Sequence, residues 1–436
     1  MVQIDNPYIR VTMRQNDSSI RTSQRQVVVV GGGPAGLMAA GTAASLATET
    51  SLVEKMDRSG RKLSITGKGR CNLTNHASLE QFLDAYGPNG KFLRQALMQF
   101  SNTDLVAFVE SLGVPIELER SGRFFPSGNR AADITHALTK WAIETGVNIR
   151  PDSPATKLLV EDGQMAGVQV STGKVIPAKS VVLATGGLSY PETGSTGDGY
   201  SLAQAVGHNI VPPRPALVPV ETKGDIAPQL QGLSLRDVGI RLMINDRLEA
   251  SLVGDLLFTH FGLSGPVILY LSRQIVDALR TGSRIEITLD LLAAMDEKTL
   301  EVRLLSSFNE MGKRELHNIL EELLPVRLVT ALLDVLDLSG QTTGSQVTIA
   351  ERRRLRHALK DFRLTVTGHR SWDEAIVTAG GVSLDEVDPR TMQSRLVKGL
   401  YFAGEVLDID GPTGGYNLQA AFSTGRLAGQ SAATGV

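Results

Sequence analysis

The 436-residue chain has a single cysteine, Cys71. That scarcity excludes an internal disulfide and any zinc site built from several thiolates, and it suits a reducing cytoplasm. Long apolar runs are missing too. No stretch of about 18 apolar residues occurs, so no membrane-spanning helix is expected. The first 25 residues are polar and contain arginines, without the apolar centre of a signal peptide. Residues 1–24 read as a flexible N-terminal extension. Neither sign of charge dominates, since 44 Lys and Arg face 46 Asp and Glu. The whole-chain field therefore recruits neither nucleic acid nor an anionic membrane, although a local patch stays open. Gly262-Leu263-Ser264-Gly265-Pro266 misses the nucleophile elbow G-x-S-x-G because Pro266 takes the last glycine position, which argues against a serine hydrolase. The seven histidines are not grouped with carboxylates at ligand spacing, and no metal site is expected.

Glycine, in contrast, is plentiful at 44 residues, and it clusters. Residues 26–54 read QVVVVGGGPAGLMAAGTAASLATETSLVE. Val27–Val30 has the β-branched run of a strand buried on both faces in a parallel sheet. Ala35–Leu46 is helical and Ser51–Glu54 is a second strand. Between them Gly31, Gly33 and Gly36 spell G-x-G-x-x-G in the right context, following a strand and opening a helix at Pro34 and Ala35. Gly31 allows the tight turn, Gly33 lets a pyrophosphate approach the backbone, and Gly36 lets helix and strand pack closely. The anion then meets free N–H groups at the positive end of the helix dipole. Glu54, with Lys55 beside it, is placed to accept hydrogen bonds from ribose hydroxyls and would repel a 2′-phosphate. ADP-ribose of NAD or FAD fits better than that of NADP.

The far end of the chain favours FAD. Lys398–Glu405 reads KGLYFAGE, followed by Asp408 and by Gly414-Gly415-Tyr416-Asn417-Leu418-Gln419. A strand ending in Ala403-Gly404-Glu405, a glycine turn and a new helix resemble the second FAD fingerprint of two-dinucleotide-binding-domain flavoproteins. In that class the acid region, here Gly404, Glu405 and Asp408, binds ribityl hydroxyls. The helix start, here Gly415, Tyr416, Asn417 and Leu418, faces the flavin pyrimidine ring. Val181–Gly187, with Thr185 and Gly186, resembles the stretch that passes the ADP half, and Ala155 joins the cofactor-binding candidates. Only one complete nucleotide fingerprint is present and both chain ends serve it. The expected cofactor is tightly but non-covalently bound FAD.

The fold class that follows is α/β: a glutathione-reductase-like Rossmann FAD domain, discontinuous over 25–208 and 364–436, with an inserted β-barrel-like plus helical domain at 209–363. Phe92–Leu112 and Ala131–Thr145 carry helical spacing. Asn148–Arg150, Ala155–Val160 and Met165–Ser171 suggest a small meander. Proline-rich Val211–Pro219 reads as a linker. The β part of the insert covers about 209–290, with strands near Val238–Ile244, Leu248–Phe258 and Arg284–Leu289. The helical part covers about 291–360, with helices near 297–310, 312–323, 325–336 and 347–360.

One further segment, GRKLSITGKGRCNLTN at 60–75, alternates glycine and basic residues in a way that suits a polyanion. Lys62, Gly69, Arg70, Cys71 and Asn72 are its cofactor-binding candidates. Together with ATGGLSYPETGSTGDGY at 184–200, LLFTHFGLSGP at 256–266 and the 378–421 region, it makes the chain resemble the bacterial BaiN/YhiN-type flavoprotein family from residue 26 onward. The resemblance implies a flavin sandwiched between the 66–75 loop and the 411–419 turn. It implies reduction of conjugated enones, oxidation of small aminoketones, or reduction of uridine to dihydrouridine in ribosomal RNA.

Three residues are candidates for catalysis. Cys71 has cationic neighbours in sequence, which would lower its pKa. His260 would serve as a general acid if it reached the flavin from the insert. Tyr416 would cover the ring or donate a proton. Arg352-Arg353-Arg354 with Arg356 and Lys360 reads as a solvated helix face, with RNA-phosphate contact as the sharper alternative. The function expected is hydride transfer between flavin N5 and an organic small molecule, in the form of NAD(P)H-driven reduction of an activated C=C bond. A nicotinamide would dock transiently, because no second Rossmann fingerprint is visible. An rRNA uridine reductase, an O2-using aminoketone oxidase and a non-catalytic flavin-binding protein are the alternatives.

Overall fold

Each of Val27–Val30 is at most 4% exposed, because strand Gln26–Val30 is flanked on both sides. It pairs in parallel with Ser180–Leu183 on one edge and with Glu49–Val53 on the other. Leu400–Phe402 extends the sheet beyond Ser180–Leu183, and Asn148–Arg150 extends it beyond Glu49–Val53. All five strands are parallel, and the order places Gln26–Val30 at the centre. The computed structural model describes residues 26–119 and 122–436, so the reading of residues 1–24 lies outside the described residues. Among those described, no helix is long and apolar enough to cross a membrane.

Parallel pairing decides where function can sit. The segments after Val30, Val53, Leu183 and Phe402 leave the sheet from the same edge, where α/β folds bind their ligands. Motifs hundreds of residues apart in sequence are thereby neighbours. Asn148–Arg150 belongs to this sheet and not to the meander expected for it. The antiparallel meander is built from Ala155–Glu161, Gln164–Val170 and Val175–Pro177.

The second apolar core gathers residues from Val220 to Val366 around a closed six-stranded barrel. Around the barrel the order is Val220–Thr222, Gly262–Ser264, Arg247–Phe258, Ser234–Ile244, Ile285–Asp290 and Phe362–His369, closing on the first. Helices Glu297–Glu310, Val326–Leu336 and Ile349–Lys360 pack on it, as the helical periodicity indicates, whereas the span 312–323 holds only the short helix Leu316–Leu320.

Three other departures have local causes. The run Phe92–Leu112 is two helices, Gly90–Gln99 and Asn102–Ser111, because Ser101 caps the second: its hydroxyl accepts from Asp104 N while the Asp104 carboxylate accepts from Ser101 N. The expected linker at Val211–Pro219 is largely strand. Ile210–Ala216 pairs antiparallel with Val377–Val382, and its register shifts between Val211 and Arg214, where Pro212 and Pro213 have no N–H to give the ladder. Helix Pro266–Arg280 was not anticipated. Its apolar Val267, Ile268, Leu271, Ile275 and Val276 are buried at helical spacing.

Candidate active site

The carboxyl ends of the central strands open onto a cavity of about 500 Å³. The glycine run forms its floor. A Cβ on Gly36 would lie 1.8 Å from the carbonyl oxygen of Gly31, so helix Pro34–Ser45 sits on the turn with no room for a side chain. A Cβ on Gly33 would meet nothing within 4 Å. It would stand in the cavity, the one direction in which a pyrophosphate must approach. The helix begins with Pro34 and has no side-chain cap, which leaves its first-turn dipole for a ligand.

Glu54 closes one end. Its Oε2 accepts from Gly32 N at 2.6 Å and its Oε1 from Met56 N at 2.8 Å. Each oxygen keeps a further lone pair, as ribose recognition requires. Burial pushes its pKa up, against the backbone N–H groups and Lys55, which pull it down. Lys55 itself is held by Asp198 at 2.7 Å and by Thr196. The hydroxyl of Thr185, on the cavity wall, is buried without a hydrogen-bond partner. An orphaned buried hydroxyl beside an open glycine cradle fits a polar dinucleotide.

At the other end two loops are stitched together. Asn75 Nδ2 donates to Gly414 O at 3.0 Å, and Thr74 Oγ1 donates to Gln419 Oε1 at 2.6 Å. With its amide turned to satisfy both neighbours, Asn72 accepts from Gly415 N and donates to Thr74 O, both at 3.2 Å. Asn417 closes its own turn by accepting from Gly411 N and donating to Gly411 O, both at 2.8 Å. Gly415, at φ +95°, starts helix Tyr416–Thr434 without a side-chain cap, and Asn417 and Leu418 line the cavity. Glu405 accepts from Lys62 at 2.9 Å, Ser189 Oγ at 3.0 Å and Thr378 N at 2.8 Å. Burial raises its pKa, but the Lys62 ammonium and these donors outweigh burial and hold the carboxyl below its ordinary value.

Most of the candidates from sequence meet here: Gly31, Gly33, Pro34, Ala35, Glu54, Lys55, Lys62, Arg70, Asn72, Ala155, Thr185, Gly186, Gly404, Glu405, Gly415, Asn417 and Leu418 all line the cavity. Gly36 and Gly69 are not among the residues that line it. Asp408 points elsewhere, its Oδ1 accepting from Gly380 N at 3.0 Å. Tyr416 packs its ring on Phe82, 4.9 Å between centroids, and not into the cavity. His260 is exposed on the barrel, edge-on to Phe261.

Cys71 corrects the charge argument made from its neighbours. It is fully buried, and burial pushes its thiol up to about 12 although Thr66 pulls it down. Arg70 turns away from it, donating to Asn129 at 2.6 Å, pairing with Glu119 and stacking its guanidinium 4.2 Å over the Phe125 ring. Chain adjacency did not become spatial contact between the guanidinium and the thiol.

Arg58, Lys68, Arg123 and Phe125 also line the cavity and were not singled out from sequence. Lys68 stood in the quoted glycine-basic alternation. Arg123 and Phe125 had no local signal, because their strand Arg123–Pro126 reaches the site by pairing with Thr74–Asn75. The arginine run of helix Ile349–Lys360 is used within the fold. Arg352 and Arg356 share Glu301, Lys360 pairs with Asp290, and Arg354 donates to Leu336 O.

A family model described as the HI0933-like protein Rossmann domain matches residues 25–431. The 3-dehydro-bile acid delta(4,6)-reductase of Clostridium scindens is 32% identical, covering 94% of this chain and 99% of that protein. The ribosomal RNA dihydrouridine synthase of Escherichia coli is 31% identical, covering 91% and 95%. Among solved structures, a flavocytochrome c3 fumarate reductase aligns with a TM-score of 0.50 at 21% identity, over 95% of this chain and 78% of that one. A 3-ketosteroid delta1-dehydrogenase from Sterolibacterium denitrificans aligns with a TM-score of 0.52 at 14% identity, over 95% and 100%. These two share the fold.

Proposed function

We propose that this chain, which belongs to the HI0933-like Rossmann-domain family and with its kin is an FAD-dependent oxidoreductase, reduces an activated C=C bond of a small organic substrate at the expense of NAD(P)H. The observation that carries the reading is the convergence of both chain ends on one cavity, with the open Gly33 cradle and Glu54 at one end and the uncapped helix start at Gly415 at the other. The name of the Clostridium scindens relative, a delta(4,6)-reductase matched over nearly its whole length, supports the choice of a C=C bond.

FAD would be held by Gly33, Glu54, Lys55, Thr185 and the Lys62–Glu405 pair, and when bound it supplies the hydride chemistry. The residues of the chain do the rest. The positive end of helix Tyr416–Thr434 stabilises negative charge at the pyrimidine end of the site. Asn72 and Asn75 fix the two loops so that this helix end is preorganised. Cys71 contributes packing behind the 66–75 loop and stays a thiol at physiological pH. A nicotinamide meets the cavity from its open side and leaves again.

Reduction of uridine in ribosomal RNA is the named activity of the Escherichia coli relative. It predicts a basic groove from Arg352–Lys360 toward the flavin. Four of those five side chains are engaged within the fold, which favours the small-molecule reading. The test is anaerobic reduction of the purified yellow protein by NADH or NADPH, followed by reoxidation with an enone, an aminoketone, rRNA or O2. Rapid reoxidation by the enone alone is expected. Rapid reoxidation by rRNA alone would overturn the reading.

A further inference from the structure

Most cations on the cavity wall are already neutralised. Lys55 is paired with Asp198, Arg61 with Asp57, Lys62 with Glu405 and Arg70 with Glu119. Lys68 and Arg123 line the same cavity, as does Arg58, and none of the three has an acidic partner among the described residues. Arg123 sits at the Gly414–Gly415 end, away from the pyrophosphate cradle at Gly33, and Lys68 belongs to the loop whose Asn72 accepts from Gly415 N. Arg123 is registered opposite Asn75, whose amide donates to Gly414 O at 3.0 Å. Two residues further along the same strand face, Phe125 carries the stacked guanidinium of Arg70 at 4.2 Å.

The backbone around Lys68 is specialised. Gly67, Lys68 and Gly69 run in succession at φ +58°, +58° and +84°. That region suits the two glycines and disfavours the lysine between them. The loop is pinned on both sides, by Cys71 N donating to Thr66 O at 3.0 Å and by Ala131 N donating to Gly69 O at 2.7 Å. Such a conformation persists because its surroundings hold it, and the residue held here is an exposed cation with no acidic partner among the described residues.

We propose that Lys68 and Arg123 form an oxyanion subsite at the flavin end of the cavity, and that the organic substrate reduced there carries a carboxylate or a phosphate. The Arg70–Phe125 stack forms a flat, rigid wall beside it, and Arg123 offers the forked donor geometry that suits both groups. The subsite rests on the flavoprotein reading above, because only a bound flavin makes this end of the cavity the reacting end.

Inorganic phosphate is the first probe, titrated calorimetrically into the FAD-loaded protein. Saturable binding is expected, weakened about tenfold in Arg123→Gln and in Lys68→Gln, as the loss of one charge-assisted hydrogen bond implies, and kept in Lys68→Arg. The ratio of flavin to protein should be unchanged in all three variants. The second probe compares a carboxylate-bearing enone with its methyl ester as oxidants of the photoreduced flavin. The native protein should prefer the acid, and the two glutamine variants should lose that preference while NADH and NADPH still reduce them at the native rate. A yellow protein whose variants bind phosphate like the native chain would overturn the subsite and leave the flavoprotein reading standing. Loss of FAD in the variants would assign the two cations to the cofactor. Slowed reduction by NADPH with the acid preference intact would assign them to the nicotinamide. Either result overturns the proposal. A colourless protein that takes up no flavin defeats the parent reading instead.

Discussion

Lys62 and Glu405 are 343 positions apart in the chain and 2.9 Å apart in space. Their ion pair lies on the cavity wall and ties the glycine-basic loop to the C-terminal fingerprint. Lys62→Met would leave the part-buried Glu405 without its main counter-charge, at a cost of about 2 kcal/mol from lost charge-assisted hydrogen bonds. Thermal unfolding with and without added FAD checks this, and both midpoints should fall. The pH dependence has a definite sign. Because the folded protein holds the Glu405 carboxyl below its ordinary value, the pair stabilises the fold above the unfolded glutamate pKa of about 4.3 and loses that contribution as pH falls below it. Lys62→Met should flatten this acid limb.

Glu54 should decide dinucleotide affinity. In Glu54→Gln one of the N–H groups of Gly32 and Met56 faces an amide NH2 instead of an oxygen, and the ribose loses a charged acceptor. The expected result is a rise of about tenfold or more in the FAD dissociation constant, as for a hydrogen bond to a charged group. Fluorescence titration of the apoprotein measures it directly.

Gly33 and Gly36 should respond oppositely to alanine. Gly36→Ala forces a Cβ onto the backbone carbonyl of Gly31, 1.8 Å away, where nothing flexible can yield. The fold should lose about 3 kcal/mol or more, the upper range for overpacking. Gly33 is at φ −75° with open space before it, so Gly33→Ala should leave the melting temperature of the apoprotein unchanged while FAD affinity drops. Circular dichroism melts paired with flavin titration separate the two outcomes.

Cys71 should behave as a packing residue. With its thiol pushed up to about 12 and no exposed surface, iodoacetamide should label the native protein only at the rate of unfolding. Cys71→Ala should keep its flavin reactivity toward an enone. Rapid labelling at neutral pH, or loss of the oxidative half-reaction in the variant, would restore the thiol to the chemistry.

The parts of the molecule that were legible from sequence are those whose signal is local and periodic. Val27–Val30 reads as a doubly buried strand because its run is short, apolar and closed by glycine, and parallel pairing follows from that pattern. The cavity floor was legible for the same reason, since each glycine in 31–36 has its own steric demand. Arg123 and Phe125 were not, because they arrive through an antiparallel pairing with Thr74–Asn75 that no local pattern announces. Helix Pro266–Arg280 has Pro266 at its first position and Val267, Leu271 and Ile275 at helical spacing, a signal masked because Gly262–Pro266 invites comparison with the nucleophile elbow. Cys71 was misjudged because Arg70 is its neighbour along the chain while the guanidinium lies over Phe125.

Ala216 and Val377 are partners in one ladder, so the polypeptide departs toward the barrel and comes home at adjacent points. About 160 residues are thereby strung on a doorway one strand spacing wide, on the order of 5 Å. A scaffold built this way can trade its attached module for another of different shape without disturbing the sheet, since any graft whose two ends lie that close will splice in. Diversity of substrates among kindred proteins can then arise beyond the doorway as well as on the cavity wall, while the dinucleotide cradle stays as it is.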